Sequence, residues 1–100
     1  MKPITDRAEV SVDFPDKAYM GIFGRDSGFE VKAETEATLI RLVHPGDDRR
    51  VVDLHLHHQL LADLIDGMAD RFRHSPVDEI HHASLSAAAK RLAQALDKKR

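Results

Sequence analysis

The residues with the most chemical potential are histidines. Seven occur, at positions 44, 55, 57, 58, 74, 81 and 82. The densest string is Val52-Asp53-Leu54-His55-Leu56-His57. On a strand, residues i and i+2 project from one face roughly 6.6 Å apart. His55 and His57 can then chelate one metal ion, with Asp53 as a further ligand or as a partner that orients an imidazole. Imidazole suits Zn, Ni, Cu or Fe(II), so a divalent transition metal is the one cofactor this string suggests. Two histidines fall short of the three or four ligands of a zinc site. His81 and His82 complete the set only if their segment folds back over the same face.

The string resembles the opening D-x-H-x-H motif of the polymerase-and-histidinol-phosphatase superfamily and of some amidohydrolases, on Asp53, His55 and His57. The resemblance implies a metal-binding strand end in a barrel. A barrel of that kind needs about 200 residues or more, and this chain has 100, so the family is rejected and only the local geometry is kept.

Other clusters read structurally. Asp63, Asp66 and Asp70 lie opposite an apolar helical stripe and form a solvated acidic face. His74 follows Asp70 by one turn, an i, i+4 pair, and His58 stands at a helix start. Gly24-Arg25-Asp26-Ser27-Gly28 holds a serine without a G-x-S-x-G elbow and reads as a hairpin turn, with Gly28 available for a positive φ. There is no Walker loop and no G-x-G-x-x-G.

Composition narrows the field. Fifteen Lys and Arg against seventeen Asp and Glu give a net charge of −2, and only five aromatic residues are present, which disfavours a nucleic-acid partner. Cysteine is absent, which removes disulfides, thiolate metal sites and cysteine nucleophiles. No apolar run approaches a membrane span, and Met1 to Arg7 contains no signal-type apolar region. A cytoplasmic setting is expected.

The elements that would position these residues follow from hydrophobic period, which is two up to about residue 57 and near 3.6 thereafter. Alternation predicts strands over Ala8–Phe14 and Lys17–Phe23, the second more central because both its faces are apolar. Alternation from Phe29 predicts strands over Phe29–Glu34 and Thr38–Val43, separated near Glu34-Thr35-Glu36. Pro45-Gly46-Asp47-Asp48 is a turn, and Arg50–His57 is the last strand, with Val52, Leu54 and Leu56 inward and Asp53, His55 and His57 outward. Leu60, Leu61, Leu64, Ile65, Met68 and Phe72 predict a helix over about 58–73. Leu85, Ala88, Ala89, Leu92 and Leu96 predict another. Ser75 suits its N-cap and Pro76 its first position, although Ile80 lies off the stripe and favours a fresh start near Ser84.

The fold class is therefore α+β: an antiparallel meander of about five strands, then two C-terminal helices packed on one face of the sheet. Residues 1–100 read as one domain with short flexible ends near 1–7 and 98–100. The expected core is Val10, Val12, Met20, Ile22, Leu54, Leu56, Leu64, Ile65, Met68, Phe72, Leu92 and Leu96. Thr38–Val43 is apolar on both faces, with Ile40 and Leu42 on one and Leu39 and Val43 on the other. One face needs a further cover, and a two-fold dimer is the commonest one. No catalytic constellation is complete. The sequence points to a small non-catalytic protein-binding or regulatory module that acts through macromolecular interaction or self-association. The alternative is a histidine-based metal-binding protein or metal-dependent enzyme using His55 and His57.

Overall fold

The computed structural model describes residues 1–98 and has the α+β order of strands followed by helices. Lys99 and Arg100, which fall in the C-terminal end expected to be flexible, lie outside the described residues. The chain forms two compact units, Met1–Ala62 and Asp63–Arg100.

The first unit carries the strands β1 (Lys2–Pro3), β2 (Ala8–Phe14), β3 (Lys17–Phe23), β4 (Gly28–Ala33), β5 (Ala37–His44) and β6 (Arg50–His57). They form a four-stranded sheet in the order β1-β4-β5-β6 and a separate two-stranded ribbon, β2-β3. All pairings are antiparallel. The break in the long alternating run falls at Glu34–Glu36, where Glu34 N donates to Ala37 O at 2.8 Å. This tight turn reverses the chain, so Phe29, Val31 and Ala33 share a face with Leu42, Ile40 and Thr38 rather than with Ala37 and Leu39.

The ribbon corrects one expectation. β3 is not central: its strand partner is β2, and both its faces carry open apolar residues, Met20 at 84% and Tyr19 at 55% exposure, with Phe23 at its end the buried exception. Phe14 and Tyr19 meet edge to face, with ring centroids 6.4 Å apart. The turn at 24–27, closed by Ser27 N donating to Gly24 O at 3.0 Å, is likewise not a hairpin turn. It links two strands that do not pair, β3 and β4. Gly28 does not take a positive φ; among the glycines only Gly46 does, at 96°, in the β5–β6 turn. Gly28 is needed for space instead, because a Cβ there would stand 2.9 Å from Met1 Sδ and 3.2 Å from Lys2 O.

Helix α1 (His58–His74) begins directly after β6 without a loop. His58 N donates to Glu36 O at 3.0 Å, and the His58 ring Nε2 lies 3.0 Å from Thr38 Oγ1. Arg71, Arg73 and His74 occupy its last turn, where cations suit the negative end of the helix dipole. Helix α2 (Glu79–Asp97) is capped by Asp78, whose carboxylate accepts from His81 N at 3.2 Å. The expected cap at Ser75 and first position at Pro76 are therefore corrected: Ser75 N donates to Arg71 O at 2.8 Å and belongs to the end of α1. No described helix is long and apolar enough to cross a membrane.

The expected core is corrected most of all. Among the described residues, the buried apolar side chains are Phe23, Ala37 and Leu39. Among the twelve positions named from periodicity, Val10 and Leu56 are half-buried and the others are exposed. Neither helix contains a buried residue. Periodicity identifies the face a residue belongs to; whether that face is covered depends on what packs against it.

Candidate functional site

The register places the histidine string on a defined surface. Directly opposed residues of antiparallel strands share a face. One face of the sheet carries the row Glu30, Arg41 and Asp53, the row Lys32, Leu39 and His55, and the pair Ala37 and His57. The other carries Phe29, Leu42 and Val52, then Val31, Ile40 and Leu54, then Ala33, Thr38 and Leu56. Asp53, His55 and His57 thus lie together on the polar face, as alternation predicts.

Their partners differ. Asp53 is gripped by Arg41, whose Nε donates to Oδ1 at 2.6 Å and whose Nη2 donates to Oδ2 at 2.9 Å. Those hydrogen bonds, reinforced by the guanidinium charge, hold the Asp53 carboxyl below the usual carboxylate range. Arg41 also stands 3.7 Å from Glu30. Asp53 is thereby committed to a charged row across three strands. Near His55 stands a different carboxylate, which sequence spacing does not reveal: Glu34 Oε1 is 3.9 Å from His55 Nδ1. The turn at Glu34–Glu36 brings it there, next to a shallow depression that His55, His57 and Ala37 also line. Among the described residues, no group of three or more His, Asp or Glu side chains is arranged to hold one metal ion.

Three further histidines serve local structure. His74 Nδ1 donates to the Asp70 carbonyl at 2.8 Å, while the Asp70 carboxylate meets Arg73 at 3.5 Å; the side-chain pair expected between His74 and Asp70 is replaced by these two contacts. His81 Nδ1 lies 2.7 Å from Asp78 Oδ2 and, with the backbone cap, lowers the Asp78 carboxyl pKa. His44 sits between Asp26 Oδ2, 3.0 Å from Nε2, and the Asp48 carbonyl, 3.2 Å from Nδ1. Ser27 is buried, with its hydroxyl on Asp26 at 3.2 Å, which fits a structural serine rather than a nucleophile.

The second unit offers a surface of another kind. Between α1 and α2 lies a cleft of about 500 Å³ walled by Ile65, Met68 and Phe72 from one helix and Leu85, Ala89 and Leu92 from the other. These large side chains, the stripes that periodicity assigns to a core, are 37% to 53% exposed. His82 is the one titratable residue in the lining. A cleft of this composition has little with which to polarise a bond or move a proton, and much with which to exclude water from an apolar partner. Comparisons with protein-family models, curated proteins and solved structures give no match.

Proposed function

We propose that the chain is a non-catalytic protein-binding module, of the adaptor or regulator kind, that acts by macromolecular contact through the apolar cleft of its helical unit. One observation carries this reading: two amphipathic helices with strong apolar stripes contain no buried residue. Soluble chains rarely leave a contiguous apolar patch open unless it is a contact surface. The test compares immobilised full-length chain with its Met68→Asp/Leu92→Asp variant in extract of the source cell. The unaltered chain is expected to retain a defined protein, its own copies included, and the variant to lose it. Equal retention by both would sink the reading.

A second reading has a specific observation in its favour. His55 and His57 share a face, with Glu34 beside His55. In this reading the edge holds a transition-metal ion weakly. Calorimetry of untagged chain with Zn²⁺ at about pH 7.5 tests it. A 1:1 isotherm lost in His55→Ala/His57→Ala, kept in His74→Ala and weakened as pH falls, because protons compete with the metal for the imidazoles, would favour it over the first.

A further inference from the structure

We propose that the occupant of the helical cleft is the same cleft of a second copy, giving a two-fold four-helix bundle in which α1 of each chain lies across α2 of the other. The proposal rests on the binding-module reading and names its partner.

The first argument is energetic. Residues 63–98 carry two helices without an interior, and within that segment only Val77 and Ser86 are even half-buried. Units below about 40 residues are usually stabilised by disulfides, metals or association, and the chain has no cysteine. Most helical stability in proteins comes from packing of an amphipathic face rather than from propensity. The helical unit therefore needs an apolar surface from outside itself.

The second argument is area. Leu64, Ile65, Met68, Phe72, Leu85, Leu92 and Leu96 are 37% to 72% exposed. With the small residues between them they leave on the order of 800 Å² of mostly apolar surface uncovered, which is what each partner contributes to a standard stable interface.

The third argument is shape. The bulk of the cleft is on α1, in Ile65, Met68 and Phe72, while α2 presents Ser86, Ala88 and Ala89 between its leucines. A two-fold axis requires that residue i meet j and j meet i. Crossing α1 of one copy over α2 of the other sets large side chains against small ones twice, the complementarity that helix packing in bundles demands.

Sedimentation of the untagged full chain tests this together with site-specific cross-linking, for which the absence of native cysteine is convenient. The mass is expected to be twice 11.2 kDa at micromolar concentration and to fall to one chain in Ala89→Glu. Mixing the Met68→Cys chain with the Ala89→Cys chain under mild oxidation is expected to give the mixed disulfide well above either homodimer. This readout decides the matter if Ala89→Glu fails to fold. A two-chain mass without the mixed disulfide overturns the proposal. So does a single-chain mass through high micromolar concentration. In that event an anilinonaphthalene dye separates the two levels. Dye bound by the monomer and lost in Ala89→Glu leaves the binding-module reading standing and removes only the second copy; no dye bound removes both.

Discussion

Leu39 and Leu92 are the same side chain in opposite circumstances. Leu39 is 8% exposed, in a strand paired on both sides, and is flanked in its row by Lys32 and His55. Leu92 is 47% exposed on a helix whose whole apolar stripe is open. Leu39 lies on the sheet's polar face, in line with Lys32 and His55. On the opposite, apolar face Val31 remains 58% and Leu54 47% exposed. Hydrophobic neighbours alone thus do not suffice to bury a side chain here. The helical stripe stays open in the single chain.

The contrast can be broken by truncation. The largest loss is expected at Phe23, the most deeply buried side chain, 1% exposed and 5.8 Å beneath the Arg50 guanidinium. Phe23→Ala should cost about 3–5 kcal/mol in urea unfolding, and Leu39→Ala about 2–5 kcal/mol, independent of chain concentration. Leu92→Ala should cost under about 0.5 kcal/mol in a dilute single-chain sample, the value of a surface change. At higher concentration, where association uses that side chain, its cost should rise. A concentration-independent loss of several kcal/mol at Leu92 would show that the helices have an interior of their own.

The smallest effect sharpens the same comparison electrostatically. Arg41 depresses the Asp53 carboxyl in the folded chain. The stabilisation from this pair is therefore present above the unfolded carboxyl pKa of about 3.9, and is lost as pH falls through the lower folded value. Melting temperatures of the unaltered chain and Asp53→Asn should differ at neutral pH and converge in acid. Equal melting temperatures at neutral pH would mean that the charged row adds nothing to the sheet.

Much of the fold was legible. The boundaries of β2, β3, β6 and α1 follow from alternation and stripe because those signals repeat over several residues. The turn at Glu34–Glu36, which contains no glycine or proline, is visible only because the run is too long for one strand. β1 escaped because two residues carry no period. The division into sheet and ribbon escaped because alternation is a property of one strand, whereas pairing depends on distant chain. α2 begins at Glu79, before its stripe and before the start expected near Ser84, because Asp78 caps it and His81 pairs with that cap. At the histidine string, the common face of Asp53, His55 and His57 was legible. The capture of Asp53 by Arg41 and the approach of Glu34 were not, since both depend on register between strands.

The pairing of the N-terminal strand also bears on how the chain can be cut and rebuilt. Lys2 and Pro3 face Phe29 and Gly28, and Ile4 N donates to Ser27 O at 3.0 Å. Residues 5–26 thus leave the sheet and return to it through a gate one hydrogen bond wide. The ribbon is topologically an insertion, held between two strands that would be a hairpin without it. Closing the gate with a short turn would remove the ribbon while leaving β4, β5 and β6 in their pairings. Its principal contribution to the rest would go with it: Phe23 and the Ile22 carbonyl, which accepts from Arg50 Nη2 at 2.9 Å. Moving one aromatic to the new turn beneath Arg50 would then be the minimal repair, and the four-stranded platform would become a scaffold into which other ribbons can be spliced.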